Sequence, residues 1–139
     1  MQTISRLALS ILLIVTMIAS AASARADDVA QIIARARADG LPVAHLHNKV
    51  REGRAKRVPG ARIAAVVEQL VRHMKQARSW LRRSKREPAP ALLVAMAQAR
   101  LAGLSSAAIR SVAAPPVATA VARVDALVDL HARGYRGDA

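Results

Sequence analysis

The sequence predicts an all-α protein, a single small domain of about five or six helices, on two observations. Alanine, leucine and arginine recur at three- and four-residue spacing along most of the chain, as in helices with one apolar face. β-Branched residues seldom alternate with polar ones, so the pattern of a half-buried strand does not appear. The spacing places the predicted helices at residues 27–39, 43–56, 60–86, 90–102, 105–113 and 117–133.

The N-terminal segment, residues 1–26, has the features of a bacterial export signal. Arg6 provides the positive start, a short apolar run follows, and two overlapping A-x-A cleavage sites end at Ala24 and Ala26. The apolar run is shorter than the roughly 20 residues that span a bilayer. We therefore expect cleavage after Ala24 or Ala26, a periplasmic or secreted helical domain over 27–139, and no transmembrane segment after cleavage.

Three predicted helix starts share one local design. An apolar residue stands immediately before a Pro or Ser, and a second apolar residue follows the first at a spacing of five, as in a hydrophobic staple. Gly40 and Gly103 lie just before two of these starts, where a left-handed residue ends the preceding helix. The apolar pairs are Leu41 with Leu46, Val58 with Ile63, and Leu104 with Ile109.

The same turns give the chain a weak internal repeat. "ARADGLPVAHL" at 36–46 matches "ARLAGLSSAAI" at 99–109, and 59–71 aligns with 116–128 after a six-residue deletion. Two related three-helix units joined by "EPAP" at 87–90 would explain the match. Convergence on one helix-turn-helix pattern in an alanine-rich chain explains it almost as well. In either case each half is too small to bury its apolar face alone, so the halves are expected to pack together.

One stretch also resembles known sequences. From Gly40 to Ile63 the chain contains G-L-P-x-x-x-L followed by K-x-x-E-G-x-x-K-x-V-P-x-x-x-I. This run is similar to an uncharacterised group of small secreted bacterial helical proteins. The resemblance implies export and a helical fold, and it implies no activity.

Positive charge is concentrated in the middle of the chain. Residues 49–86 contain 13 Lys or Arg against two acids, a net charge of 13 − 2 = +11. Residues 27–48 total −1 and residues 87–139 total +1, so the +11 of the predicted mature chain comes from this segment. Charge segregation of this kind is typical of proteins that contact an anionic partner.

The long helix predicted at 60–86 separates apolar from basic residues. Its apolar positions step by four and three and form the seam Ile63, Val67, Leu70, Met74, Ala77 and Leu81. Its cations fall on the other side with a single acid, Glu68, among them. We therefore predict that this helix contacts a phosphate-rich anion such as lipid, lipopolysaccharide or nucleic acid. The predicted anion-binding residues are Arg72, Lys75, Arg78, Arg82, Arg83 and Arg86.

Two alternatives stay open at this stage. Trp80 either anchors such a partner or packs against a neighbouring helix, and the second is the commoner arrangement for a tryptophan beside an apolar seam. The basic face is either a binding surface or a solvated helix face. In the second case the protein would be a protein-interaction or chaperone-like module that uses apolar grooves.

Catalytic and metal-binding patterns are weak, and we predict no enzyme activity, no metal, no cofactor and no small-molecule substrate. Cysteine is absent, the nine acids are scattered, and His45 and His47 are two residues apart, which directs them to different sides of a helix. Asp125 and Asp129 are four residues apart on one predicted helix, so their carboxylates could form a pair for acid–base chemistry, but we expect both to face solvent. Gly53 lies inside the second predicted helix, where it indicates either a close helix crossing, which we favour, or a kink.

Overall fold

The structure is a computed structural model that describes residues 28–113 and 116–135. These residues form six helices and no strand, arranged as one small all-α domain, which confirms the predicted fold class. The predicted export signal and its cleavage sites lie outside the described residues. The helices are α1 (described over 28–38), α2 (Val43–Ala55), α3 (Gly60–Arg83), α4 (Pro90–Leu101), α5 (Ser106–Val112) and α6 (Val117–Ala132).

The helix starts follow from proline and serine at the predicted turns. Pro42 and Pro59 are the N-caps of α2 and α3, and Pro116 is the N-cap of α6. Pro90 is the first residue of α4, where its missing N–H costs no hydrogen bond. Ser105 caps α5 through its side chain, which accepts a hydrogen bond from the Ala108 N–H at 3.1 Å.

Five helix ends share one hydrogen-bonded turn, in which the second residue after the cap donates its N–H to a carbonyl five residues earlier. Gly40, Gly103 and Gly134 supply the left-handed residue of three such turns. Arg57 and Lys85 take the same conformation, each at φ 54°, after α2 and α3. The bonds run from Leu41, Val58, Arg86, Leu104 and Tyr135 to Ala36, Gly53, Leu81, Ala99 and Leu130, at 2.8–3.1 Å.

The turn at Lys85 corrects one predicted boundary. The helix predicted at 60–86 ends at Arg83, because Lys85 adopts the left-handed conformation and the Arg86 N–H returns to the Leu81 carbonyl at 2.8 Å. The apolar seam stops at Leu81 and no glycine follows it before the next predicted helix, so the sequence pattern does not locate the end of the helix. Lys85 and Arg86 consequently lie in the connection to α4.

The core forms along the apolar seam of α3. All six predicted seam residues are buried, and Val71 joins them. α3 packs most extensively against α4, α4 packs against α6, and α2 packs along α3. The two halves of the chain thus meet across α3 and α4 in one shared core, as expected, while α2 and α3 (13 and 24 residues) differ in length from α5 and α6 (7 and 16 residues).

Gly53 of α2 lies in close contact with Ile63 of α3. A Cβ atom at this position would lie 2.8 Å from Cγ1 of Ile63, a distance that no ordinary packing tolerates. Since Ile63 is buried and branched, it has little room to move aside. The predicted close crossing is confirmed, and it fixes how α3 begins.

Candidate anion-binding surface

The predicted basic residues lie on and just after α3. Five of them belong to the helix itself, and Arg86 follows its C-terminal turn. The helix contains six Lys or Arg and one acid, Glu68. Among the described residues, no ion pair joins an arginine of α3 to a carboxylate. The positive charge of α3 is therefore balanced very little from within the protein.

Two of the predicted residues hold the end of α1. Lys75 Nζ lies 2.6 Å from Oδ2 of Asp39, and Arg78 Nη1 donates to the Asp39 carbonyl oxygen at 2.5 Å. This carbonyl follows the last turn of α1, where the helix dipole favours a nearby cation. The hydrogen bond from Lys75 and its charge, with that of Arg78, hold the pKa of Asp39 below its usual value. The main interactions of Lys75 and Arg78 within the protein thus join α3 to the end of α1.

Arg86 makes a comparable contact with the end of α5. Its Nη1 donates to the carbonyl oxygen of Ala113 at 2.8 Å, directly after the last turn of that helix. Its guanidinium carbon also lies 5.2 Å from the centroid of the Trp80 ring, within range of a cation–π interaction. Arg86 is half-buried and ties the turn after α3 to α5.

Arg72 and Arg82 are different from these anchoring residues. Both side chains are exposed, and no hydrogen bond or ion pair with the described part of the protein engages either of them. Arg83 is also exposed, and its Nη1 donates to the Ser79 hydroxyl one turn earlier at 2.6 Å. The structure thus divides the six predicted residues into three anchors, two unpartnered cations and Arg83.

Arg83 borders a cleft between α3, α4 and α5 that the sequence pattern did not reveal. The cleft has a volume of about 280 Å³, and Trp80 forms part of its wall, half-buried against the core. Arg100 of α4 and Arg110 of α5 join Arg83 around it, and no carboxylate lines it. No sequence signal points to Arg100 and Arg110 in particular, because residues 87–139 total only +1.

A second depression lies between α2 and α3 at the Gly53 crossing. It has a volume of about 370 Å³, with an apolar floor that includes Val58, Ile63 and Val66. Glu52 stands at its rim and pairs with both Lys49 (2.8 Å) and Lys56 (2.6 Å). Hydrogen bonds from these two lysines lower the pKa of Glu52 to about 2.

The histidines and acids show little convergence. His45 Nε2 lies 3.2 Å from Gln98 Nε2 of α4, and burial lowers the pKa of this imidazole. Asp129 pairs with Arg133 at 2.8 Å, and both it and Asp125 are exposed on α6. Within 28–113 and 116–135, no three His, Asp or Glu side chains group closely enough to hold a metal ion.

Comparisons complete the description of the site. No helix in the described part of the chain is both long and apolar enough to cross a bilayer. The resemblance of residues 40–63 to secreted helical proteins stays a prediction. No protein-family profile matches the chain, and neither the curated proteins nor the solved structures contain a significant match.

Proposed function

We propose that this protein is an exported, noncatalytic binding protein whose α3 contacts a phosphate-bearing surface such as lipid headgroups, lipopolysaccharide or nucleic acid. One observation carries the proposal: Arg72 and Arg82 are exposed and unpartnered on a helix that has a single acid. A helix face that is merely solvated usually mixes charges of both signs. An external anion would balance the charge that the protein leaves unbalanced.

The contacts that each side chain makes within the protein support a narrower set of residues for touching the partner. Arg72 and Arg82 have their guanidinium groups free to make bidentate contacts with phosphate oxygens. Arg83 and the half-exposed Lys75 would add charge beside them. Arg78 and Arg86 would contribute mainly by holding α1 and α5 against α3.

Charge alone is expected to drive the contact. Trp80 is half-buried beside the cleft, so the exposed face of α3 offers no aromatic platform on which bases could stack. Each cation at an anionic surface contributes about 1 kcal/mol, and this contribution falls within a Debye length. Binding should therefore be selective for anionic over neutral surfaces, should weaken with salt, and should be insensitive to nucleotide sequence.

Co-sedimentation with vesicles tests the proposal. The protein is mixed with neutral vesicles, with anionic vesicles and, in parallel, with double-stranded DNA over a salt series. The double variant Arg72→Glu, Arg82→Glu should bind the anionic sample at least tenfold more weakly, because it reverses two contacts and breaks no bond within the protein. The samples that retain the protein identify the partner as lipid or nucleic acid.

A charge-matched variant provides the control. Arg37→Glu with Arg54→Glu lowers the net charge by the same amount from α1 and α2, where both side chains are exposed and have no partner in the described structure. Retention equal to that of the unaltered protein would locate binding on α3. If both double variants lose retention equally, total charge is responsible and the proposed surface is wrong. Retention that is indifferent to salt would favour apolar association, for which the depression beside Gly53 is the candidate.

A further inference from the structure

The cleft between α3, α4 and α5 collects like charges that the chain does not neutralise. Arg83, Arg100 and Arg110 reach it from three different helices, and no acidic side chain lines it. Guanidinium groups brought together in this way repel one another and are costly to desolvate unless an anion pairs with them. The cleft is therefore built for an anion that comes from outside the protein.

Arg100 gives this inference its sharpest support. Its Nη1 donates to the Leu104 carbonyl oxygen at 2.5 Å, which fixes the guanidinium at the C-terminal end of α4. Its Nε is fully enclosed and has no acceptor. Since a charged donor that is enclosed without a partner is costly, this guanidinium is only partly satisfied within the protein, and an anion that pairs with it from the cleft would offset that cost.

The guanidinium groups of Arg83 and Arg110 are less constrained by contacts within the protein than that of Arg100. Arg83 is steadied by its bond to Ser79, and Arg110 is exposed with no partner in the described structure. The Ser106 hydroxyl also lines the cleft and adds a neutral donor. Donors from separate helices can each take a different oxygen of one ligand.

We propose that this cleft binds a phosphate monoester group. A terminal phosphate carries close to two negative charges and three free oxygens, and so matches three guanidinium groups better than a carboxylate with two oxygens does. A volume of about 280 Å³ is at the small end of ligand pockets, which run from roughly 300 to 1,000 Å³. The ligand is thus a small phosphorylated group, and Trp80 provides an apolar wall for the part attached to the phosphate.

Trp80 is also the reporter that makes the site testable, because it is the only tryptophan in the chain and it lines the cleft. The protein is titrated with inorganic phosphate and with glycerol 3-phosphate, and chloride keeps the ionic strength constant. We expect a saturable change in Trp80 emission with each phosphate. A response no larger than that to chloride alone would overturn the proposal.

Variants then assign the response to the cleft. Arg110→Gln breaks no contact within the described protein and should weaken phosphate binding about tenfold or more. Arg100→Lys keeps the charge but removes the planar guanidinium, and should weaken binding comparably because bidentate contact with phosphate is lost. Arg54→Gln removes one exposed charge from α2, outside both the cleft and the α3 surface, and should leave the affinity unchanged within about twofold. An equal loss in Arg54→Gln and Arg110→Gln would show nonspecific attraction and would contradict the site.

Two further samples identify the source of the phosphate. Vesicles of a neutral lipid with a small fraction of phosphatidic acid present the same group on a lipid, whereas glycerol 3-phosphate presents it in solution. A response that depends on Arg110 in both samples means that either source is accepted, and a response in one sample identifies that source. The absence of such a response from both would overturn the proposal. This outcome is distinct from failure of the α3 surface, which is judged by Arg72 and Arg82.

Discussion

At its N-terminal end α3 is held by an apolar contact, in which Ile63 fills the space beside Gly53 of α2. At its C-terminal end it is held by arginine side chains that donate to backbone carbonyls, Arg78 to Asp39 and Arg86 to Ala113. The first contact depends on shape and the second on charged donors at helix ends. One helix is thus fixed by two kinds of interaction, and only the second draws on the residues that also make it basic.

The difference shows why a basic run should not be interpreted as one surface. Arg78, Arg82 and Arg86 are spaced alike in the sequence, yet two of them bind helix-end carbonyls and one has no partner. A carbonyl that receives an arginine at a helix end is a satisfied part of the fold. A cation without such a partner is available to a ligand.

The largest expected effect concerns the C-terminal end. Arg86→Met removes the bond to the Ala113 carbonyl and the contact with Trp80, and should lower the free energy of unfolding by about 2 kcal/mol. Arg82→Met replaces another arginine four positions earlier, whose side chain has no partner in the described structure. This variant should change the free energy of unfolding by no more than about 0.5 kcal/mol. Denaturant unfolding measures both. Equal stabilities for the two variants would mean that Arg86 is not an anchor.

At the N-terminal end of α3 we expect a smaller effect on the free energy of unfolding, and its sign reports how tightly α2 and α3 pack. Gly53→Ala should lower the free energy of unfolding by about 1 kcal/mol, because the overpacking against Ile63 exceeds the roughly 1 kcal/mol that alanine gains in helix propensity. In an Ile63→Ala background the obstruction is gone, so Gly53→Ala should then stabilise. Unfolding of the four proteins of this cycle gives the coupling directly. A stabilising Gly53→Ala in the unaltered protein would show that the crossing is loose.

The turns on either side of α3 predict a gain in stability. Arg57 and Lys85 have a left-handed backbone, which costs a residue with a side chain about 1–2 kcal/mol. In the turns after α1, α4 and α6 a glycine takes this position instead. Lys85→Gly should therefore raise the free energy of unfolding by about 0.5–1 kcal/mol after the entropy that glycine adds to the unfolded chain. Arg82→Gly, which removes a cation from the last turn of α3, should instead lower it by about 1 kcal/mol. Thermal unfolding of the Lys85→Gly and Arg82→Gly variants measures both effects. A loss of stability in Lys85→Gly as well as in Arg82→Gly would contradict the left-handed turn at Lys85.

Sequence reasoning predicted the helices better than it predicted the site, for a physical reason. Local signals set helix starts and ends. The predicted starts of α2, α3, α4 and α6 match the observed ones, and the start of α5 and most helix ends differ by one residue. The end of α3 differs by three, because Lys85 takes a position usually held by glycine. The Gly53 crossing was predictable because glycine is costly in a helix interior.

The candidate site depends on packing that no local pattern encodes. The bonds of Arg78 and Arg86 reach residues 39 and 27 positions away, and the cleft forms only where α3, α4 and α5 meet. Arg100 and Arg110 lie in segments of nearly neutral charge, so the charge count gave no reason to place them beside Arg83. The sequence located the positive charge of α3, and the three-dimensional arrangement decides which of those charges are free.

The smallest effect compares two carboxylates, one associated with each end of α3. Glu52 pairs with Lys49 and Lys56 near the N-terminal end, and Asp39 pairs with Lys75 near the C-terminal end. Both pKa values are lowered, that of Glu52 from 4.5 to about 2. A lowered pKa means that each carboxylate stabilises the fold above the pKa of the unfolded chain and loses this contribution as the pH falls through the folded value.

Replacing either carboxylate should therefore reduce the amount by which the free energy of unfolding falls as the pH is lowered. Glu52→Gln should lose stability at neutral pH and little between about pH 4 and pH 2, where the unaltered protein loses its own. Asp39→Asn should likewise lose stability at neutral pH and little as the pH falls below the usual pKa of an aspartate. Both differences should shrink in high salt, since the groups are exposed and screened. Urea unfolding from pH 7 to pH 2 measures them, and curves for both variants that run parallel to that of the unaltered protein would show that neither pair contributes. A change in Asp39→Asn alone would mean that the charged contact between α1 and α3 matters more than a pair within one helix, because only the former joins two elements of the fold.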